Sequence, residues 1–184
     1  SLRHEAARIV RIGGLLLALA ALMMGYGLQH PAGVSHVAEI YENAADHFLA
    51  GTTVGRQALV SSAWYPPLHT LLRMPLVALL GAGACPAASM AVAALAGVGV
   101  LAVLARAGRR WGLGRWRWLP VGALMLSPDF LRACTDGSGT ATAMLLVLWT
   151  TAGFLGWIWH GSAADLVRFA FGIAGVSWLG ADLF

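Results

Sequence analysis

An uncharged run of twenty residues, from Pro86 to Ala105, constrains the fold of this chain more than any other feature. At 1.5 Å per residue, a helix over this run is about 30 Å long, which matches the hydrocarbon thickness of a bilayer. The following twelve residues contain five arginines: Arg106, Arg109, Arg110, Arg115 and Arg117. Since arginine-rich loops stay on the cytoplasmic side, we predict a membrane-spanning helix whose carboxyl end faces the cytoplasm.

Composition agrees with an integral membrane protein. Hydrophobic residues make up 59% of the chain and charged residues 11%, and the mean hydropathy is +0.73. A water-soluble domain of this composition would have too little polar surface. All twelve basic residues are arginines, and most of them flank apolar runs, so membrane topology explains them better than nucleic-acid binding does. We expect membrane lipids, and no nucleic acid, as partners.

The hydropathy pattern predicts an all-α membrane protein with about five transmembrane helices in a single membrane domain, residues 1–184. The predicted spans are 9–28, 86–105, 116–134, 140–160 and 164–184. The distribution of charge fixes the direction of the spans. With this topology nine arginines and two acids, Glu5 and Asp165, lie on the cytoplasmic side, whereas three arginines and six acids lie on the outer side. We therefore expect a cytoplasmic N-terminus, in an inner (plasma) membrane protein of a bacterium. Because Trp178 to Phe184 stop within an apolar run, we also expect the chain to continue beyond Phe184.

Two amphipathic helices are predicted in the first outer loop, over residues 36–50 and 67–81. The first has apolar residues at helical spacing, with Ser35 as a plausible N-cap and Gly51 just after its end. The second follows Trp64-Tyr65-Pro66-Pro67 and is about 20 Å long, too short to cross the bilayer. Both helices are therefore expected to lie on the membrane surface.

Polar residues interrupt the third predicted span, namely Pro120, Pro128, Asp129 and Arg132. Polar groups at membrane depth are costly unless they face protein or water, so the outer end of this span is expected to face a wet cleft. The alternative is that Asp129 and Arg132, three residues apart, pair with each other at the headgroup level. The Asp136-Gly137-Ser138-Gly139 segment that follows is a predicted turn.

Motifs for cofactors are missing from the sequence. There is no phosphate loop, dinucleotide fingerprint or C-x-x-C pair. No histidine lies in the middle of a span, which argues against axial ligation of haem or chlorophyll. Cys85 and Cys134 are either two unpaired small apolar side chains or an outer disulfide. We expect no cofactor and assign no metal site; a divalent cation held by His36 and Glu39, or by Asn43, Asp46 and His47, remains an option beside solvated helix faces.

The order of features resembles the N-terminal part of the GT-C superfamily of polytopic membrane glycosyltransferases. The residues that carry the resemblance are the Tyr-x9-Gly of the first outer helix, a Tyr-Pro-Pro-Leu segment with a later Pro-Leu, the arginine-rich loop, and Ser-Pro followed by a loop aspartate. They are Tyr41 to Gly51, Tyr65 to Leu68, Pro75-Leu76, Ser127-Pro128 and Asp136. Family members use polyprenyl-phosphate sugars as donors.

The resemblance also implies roles for individual residues. In the family an acid stands about four residues before the tyrosine of the first outer helix, and here that position is Val37. The nearest substitutes are Glu39 and His36, so Glu39 is the implied catalytic base or metal-orienting acid, with a solvated helix face as its alternative. Asp136 is the implied acid of the second loop. The implied substrate-binding residues are His36, Tyr65, and Arg73 and Arg132 for a lipid phosphate.

Two functional hypotheses follow. The first is a GT-C-like glycosyltransferase that moves a sugar from a polyprenyl-phosphate donor to an acceptor on the outer face of the membrane. The alternative is a non-catalytic accessory transmembrane subunit that packs within a larger membrane complex. The Tyr-Pro-Pro-Leu order favours the first, and the missing family acid at Val37 favours the second.

Overall fold

The computed structural model describes residues 18, 21–22, 47–51, 67–81 and 85–178, and the described part is all-helical. Within residues 67–81 and 85–178, six α-helices and one 3-10 helix follow in chain order. They are α1 (Pro67–Leu80), α2 (Cys85–Arg110), a 3-10 helix (Gly114–Arg117), α3 (Trp118–Met125), α4 (Pro128–Thr135), α5 (Thr140–His160) and α6 (Ala163–Ser177).

Two helices in the described ranges are long and apolar enough to cross a membrane, Pro86–Arg110 within α2 and Thr140–His160, which is α5. They agree with the predicted spans 86–105 and 140–160. Mean hydropathy is 2.3 in the first and 1.6 in the second. The prediction of an all-α membrane protein is supported to this extent.

Close approach at glycines fixes the relative direction of the helices. Gly99 of α2 lies against Leu145 of α5, and further along both helices Arg110 lies against Gly156, so α2 and α5 run parallel. Gly172 lies against Thr150 and Gly153 against Phe169, so α6 runs antiparallel to α5. Small residues at these crossings let the helices approach closely.

Residues 116–134 differ from the predicted third span, because they do not form one continuous helix. The chain instead forms the 3-10 helix, α3 and α4, and the last two helices have eight residues each. The break lies at Ser127, which is extended (φ −77°, ψ 119°) because the residue before a proline is disfavoured in the helical region. The Ser127 hydroxyl then accepts a hydrogen bond from the Phe130 N–H at 3.4 Å.

The other predicted elements are described only in part. Helix α1 matches the predicted segment 67–81 in its bounds, and its position at the membrane surface stays a prediction. Helix α6 has 15 residues, and the end of the predicted span 164–184 lies outside the described residues. Most of the first span and most of the first amphipathic helix lie outside them as well.

The core of the described part is built from small side chains around α2. Ala93, Ala94 and Val98 of α2 pack with Phe130 and Cys134 of α4. Gly97 faces the Cys134 sulfur so closely that an added Cβ would collide with it. Cys134 is fully buried and carries a free thiol, which agrees with the unpaired alternative rather than a disulfide.

Candidate functional site

Asp136 lies in a hydrogen-bonded turn between α4 and α5. Its N–H donates to the Arg132 carbonyl at 2.9 Å and closes α4. Its carboxylate Oδ1 accepts from the Ser138 N–H at 2.8 Å, and Gly137 between them has φ +70°, which glycine adopts without strain. The carboxylate is half-buried. The predicted turn is therefore present, with its aspartate in a fixed position.

Ser138 extends this hydrogen-bonded network into the first turn of α5. Its buried hydroxyl donates to the Thr140 Oγ1 at 2.9 Å and accepts from the Thr140 N–H at 3.3 Å. The second contact satisfies one of the amide groups that have no partner within the helix at an N-terminus. The position of Asp136 is thus coupled to the start of a candidate membrane span.

Arg132 lies one helical turn before Asp136 and is exposed. Asp129 is exposed too, and no ion pair joins these two residues, both of which belong to the described part of the chain. The alternative in which Asp129 and Arg132 pair with each other is therefore not observed. The Arg132 guanidinium remains accessible to an external anion.

Arg73 has a different environment from the one expected of a ligand-binding arginine. It is 1% exposed, and it lies between α1 and α2 beside buried Thr70 and Ser89. Its Nη1 donates to the Ser89 hydroxyl. The predicted role in binding a lipid phosphate requires an accessible guanidinium, which this arrangement does not provide.

The remaining predicted site residues, His36, Glu39 and Tyr65, lie outside the described residues. Their assignment to the site therefore stays a prediction. Within the described ranges, no three His, Cys, Asp or Glu side chains come close enough to hold a metal ion.

A second polar cluster, which the sequence analysis did not single out, lies at the opposite end of α5. Asp165 in the first turn of α6 is 1% exposed. Arg110, at the end of α2, holds it with two hydrogen bonds, from Nη1 at 2.8 Å and from Nη2 at 2.5 Å. Arg168 donates to the same carboxylate at 2.7 Å. Such a bidentate arginine–carboxylate pair is the geometry that gives the strongest charge-assisted hydrogen bonds.

Glycine makes room for this cluster. A Cβ at Gly156 would lie 2.8 Å from the Asp165 Cγ and 2.9 Å from the Arg110 Nη1. A Cβ at Gly153 would lie 2.9 Å from the Phe169 backbone nitrogen, one turn beyond Asp165. The absence of side chains on this face of α5 therefore allows the ion pair to be buried against the helix.

The pKa of Asp165 is lowered from its ordinary value. The hydrogen bonds from Arg110 are the largest cause, burial opposes them, and the positive charges of Arg110 and Arg168 act in the same direction as the hydrogen bonds. Asp165 lies outside the two candidate spans and at the start of the predicted span 164–184, on the side assigned to the cytoplasm by the arginines. The carboxylate is therefore charged at neutral pH and joins α2 to α6.

The sequence predicts only one of the two ion pairs in this cluster. Asp165 and Arg168 are three residues apart and predict a neighbouring pair on one helix face. The partner on α2 is 55 residues away from Asp165, and no local pattern identifies it. Gly153 and Gly156 permit close helix approach, but their spacing does not show that a carboxylate fills the space.

The two polar clusters lie at opposite ends of the described bundle. Thr140 next to the Asp136 turn and Gly156 next to Asp165 are separated by sixteen residues of one helix, which corresponds to about 24 Å. We refer to these ends as the Asp136 end and the arginine end.

Comparison with known proteins identifies no relative of this chain. No protein-family model matches the chain, and neither the curated proteins nor the solved structures include a significant match.

Proposed function

We propose that this chain is the membrane part of a GT-C-like glycosyltransferase, which moves a sugar from a polyprenyl-phosphate donor to an acceptor on the outer face. The observation that carries the proposal is the Asp136 turn, a carboxylate held by the Ser138 N–H beside the start of a candidate span. The order of the Tyr-Pro-Pro-Leu, Ser-Pro and loop-aspartate motifs supports it. In this proposal the chain has five spans and a cytoplasmic N-terminus, and Asp136 faces outward.

Each proposed residue has a chemical task. Glu39 acts as the base that deprotonates the acceptor hydroxyl, or it orients a divalent cation. Asp136 is the second acid of the site, and the exposed Arg132 one turn away binds the donor phosphate, whose oxygens suit a guanidinium. His36 and Tyr65 contact the substrate. Arg73 is buried and donates to Ser89 between α1 and α2, so it is the less accessible of the two proposed phosphate-binding arginines.

A transfer assay with the purified full chain and a polyprenyl-phosphate sugar tests this proposal. We expect Asp136→Asn and Glu39→Gln each to lower the transfer rate by about 100-fold or more, as loss of an acid–base group does. Asparagine retains a side-chain oxygen that can accept from the Ser138 N–H, so the turn is preserved and a loss reports on the charge. Asp129→Asn is the matched control, because Asp129 is exposed in the first turn of α4.

The burial of Arg73 favours a second candidate, a non-catalytic accessory subunit of a larger membrane complex, because it removes one expected donor contact. The missing family acid at Val37 points the same way. Under this alternative the wild-type chain transfers no sugar and co-purifies in fixed stoichiometry with a larger assembly. Normal transfer by both acid variants would exclude the assignment of Glu39 and Asp136 as the site.

A further inference from the structure

We propose that a groove at the arginine end binds the phosphate headgroup of an anionic membrane lipid. The groove has a volume of about 590 Å³ and lies where α2 ends and α6 begins. Its polar lining consists of Arg106, Arg109, Arg110, Ser162, Asp165 and Arg168. We call it the arginine groove.

Charge in the arginine groove is strongly unbalanced. Four arginines share it with one carboxylate, that of Asp165. Asp165 already accepts from Arg110 and Arg168, whereas Arg106 and Arg109 are exposed and form no ion pair with any residue in the described ranges. The groove therefore has an excess of three positive charges, with guanidinium donors that are free to bind phosphate oxygens.

Asp165 also fixes where these charges lie. Its carboxylate binds both Arg110 of α2 and Arg168 of α6, and so holds the two guanidiniums close together. The ordered guanidiniums lose less rotamer freedom when an anion binds, and this preorganisation favours affinity. Arginines that only determine membrane orientation need no fixed position. The buried carboxylate of Asp165, which orders two of them, therefore indicates an additional role for this end of the bundle.

An apolar cleft continues from the groove into the bundle. This second cavity, of about 390 Å³, shares Arg106, Arg110 and Arg168 with the groove. Its deeper walls are Ala102 and Val103 of α2 and Trp149 and Ala152 of α5. A charged opening above an apolar cleft matches an amphiphile, since the phosphate meets the arginines and an acyl chain fills the cleft. A free phosphate ion would occupy the arginine groove alone.

This inference does not rest on glycosyl transfer, because the arginine groove lies about 24 Å along α5 from the Asp136 turn. Loss of lipid binding at one end and loss of transfer at the other end are therefore separate outcomes.

Native mass spectrometry of the purified full chain, titrated with phosphatidylglycerol or phosphatidylcholine, tests the proposed headgroup site. We expect phosphatidylglycerol to be retained in preference, and Arg106→Gln and Arg109→Gln each to weaken its binding by about fivefold, the effect of one basic group near an anionic lipid. Arg115→Gln is the matched control, because Arg115 is exposed in the 3-10 helix that follows α2 and does not line the groove. Equal loss in Arg115→Gln, or equal retention of the two lipids, would overturn the proposal.

A substitution in the cleft distinguishes a lipid from free phosphate. Ala102→Leu narrows the apolar cleft without altering the charge of the groove. We expect it to weaken phosphatidylglycerol binding while leaving the weaker binding of inorganic phosphate, measured by titration of the same protein, unchanged. If inorganic phosphate binds as tightly as phosphatidylglycerol and Ala102→Leu affects neither, the lipid is not the ligand.

Discussion

Asp165 carries a buried charge that joins two helices, because its carboxylate contacts Arg110 of α2 and Arg168 of α6. Its lowered pKa means that the folded state favours the ionised form. The resulting stabilisation is fully present above the ordinary carboxyl pKa of about 4, and it is lost as the pH falls through the lowered value. The link between α2 and α6 is therefore expected to weaken in acid.

Thermal unfolding in detergent at pH 7 and pH 3 measures this effect. We expect Asp165→Asn to lower Tm at pH 7 by about 4 °C or more, because the amide leaves two arginines without their shared anion. The variant should then lose less stability than wild type on acidification, since the group that titrates is gone. Asp129→Asn is the control, an exposed acid without an ion pair in the described part. Parallel pH curves for wild type and Asp165→Asn would contradict the assigned role.

At the scale of helices, packing between α5 and its neighbours depends on the glycines along one face of α5. Alanine at Gly156 would meet the Asp165 carboxylate and the Arg110 guanidinium at under 3 Å, so this ion pair must shift to make room. We expect Gly156→Ala to destabilise the protein by about 1 to 3 kcal/mol, as overpacking does. Denaturation in mixed micelles measures the change.

The matched substitution is Gly122→Ala in α3, where an added Cβ meets no atom within 4 Å. Alanine favours a helix over glycine by up to about 1 kcal/mol, so this variant should be neutral or slightly more stable. If both variants behave alike, close packing at Gly156 does not contribute to stability.

Sequence predicted the helices that depend on local pattern and missed the features that depend on distant contacts. The uncharged runs gave α2 and α5, and the proline-rich segment before α1 gave the start of that helix near residue 67. Pro128 interrupts the apolar pattern of the predicted span 116–134, but the pattern did not predict the helix break at Ser127. How the chain continues beyond this break depends on how Phe130 and Cys134 pack against α2. The Asp136 turn followed from its Asp-Gly-Ser-Gly composition, whereas the burial of Arg73 depends on α1 meeting Ser89.

For the molecule as a whole, the length of α5 sets the distance between the Asp136 end and the arginine end. This helix has 21 residues, about 32 Å, close to the thickness of the hydrocarbon core. If it crosses the bilayer, the Asp136 turn and the arginine groove face different compartments. The distribution of arginines then assigns the arginine end to the cytoplasm, and the glycosyl-transfer proposal depends on this orientation.

Cysteine labelling in intact cells tests the orientation directly. In a chain with Cys85→Ala and Cys134→Ala, we expect a membrane-impermeant maleimide to label Thr140→Cys in intact cells and Ala164→Cys only after permeabilisation. Both positions are exposed, and they lie at the Asp136 end and the arginine end, respectively. The reverse pattern would invert the protein and place Asp136 in the cytoplasm, away from an outer acceptor. Equal labelling of both positions in intact cells would mean that α5 does not cross the membrane, and Asp136 and Asp165 would then share one aqueous compartment.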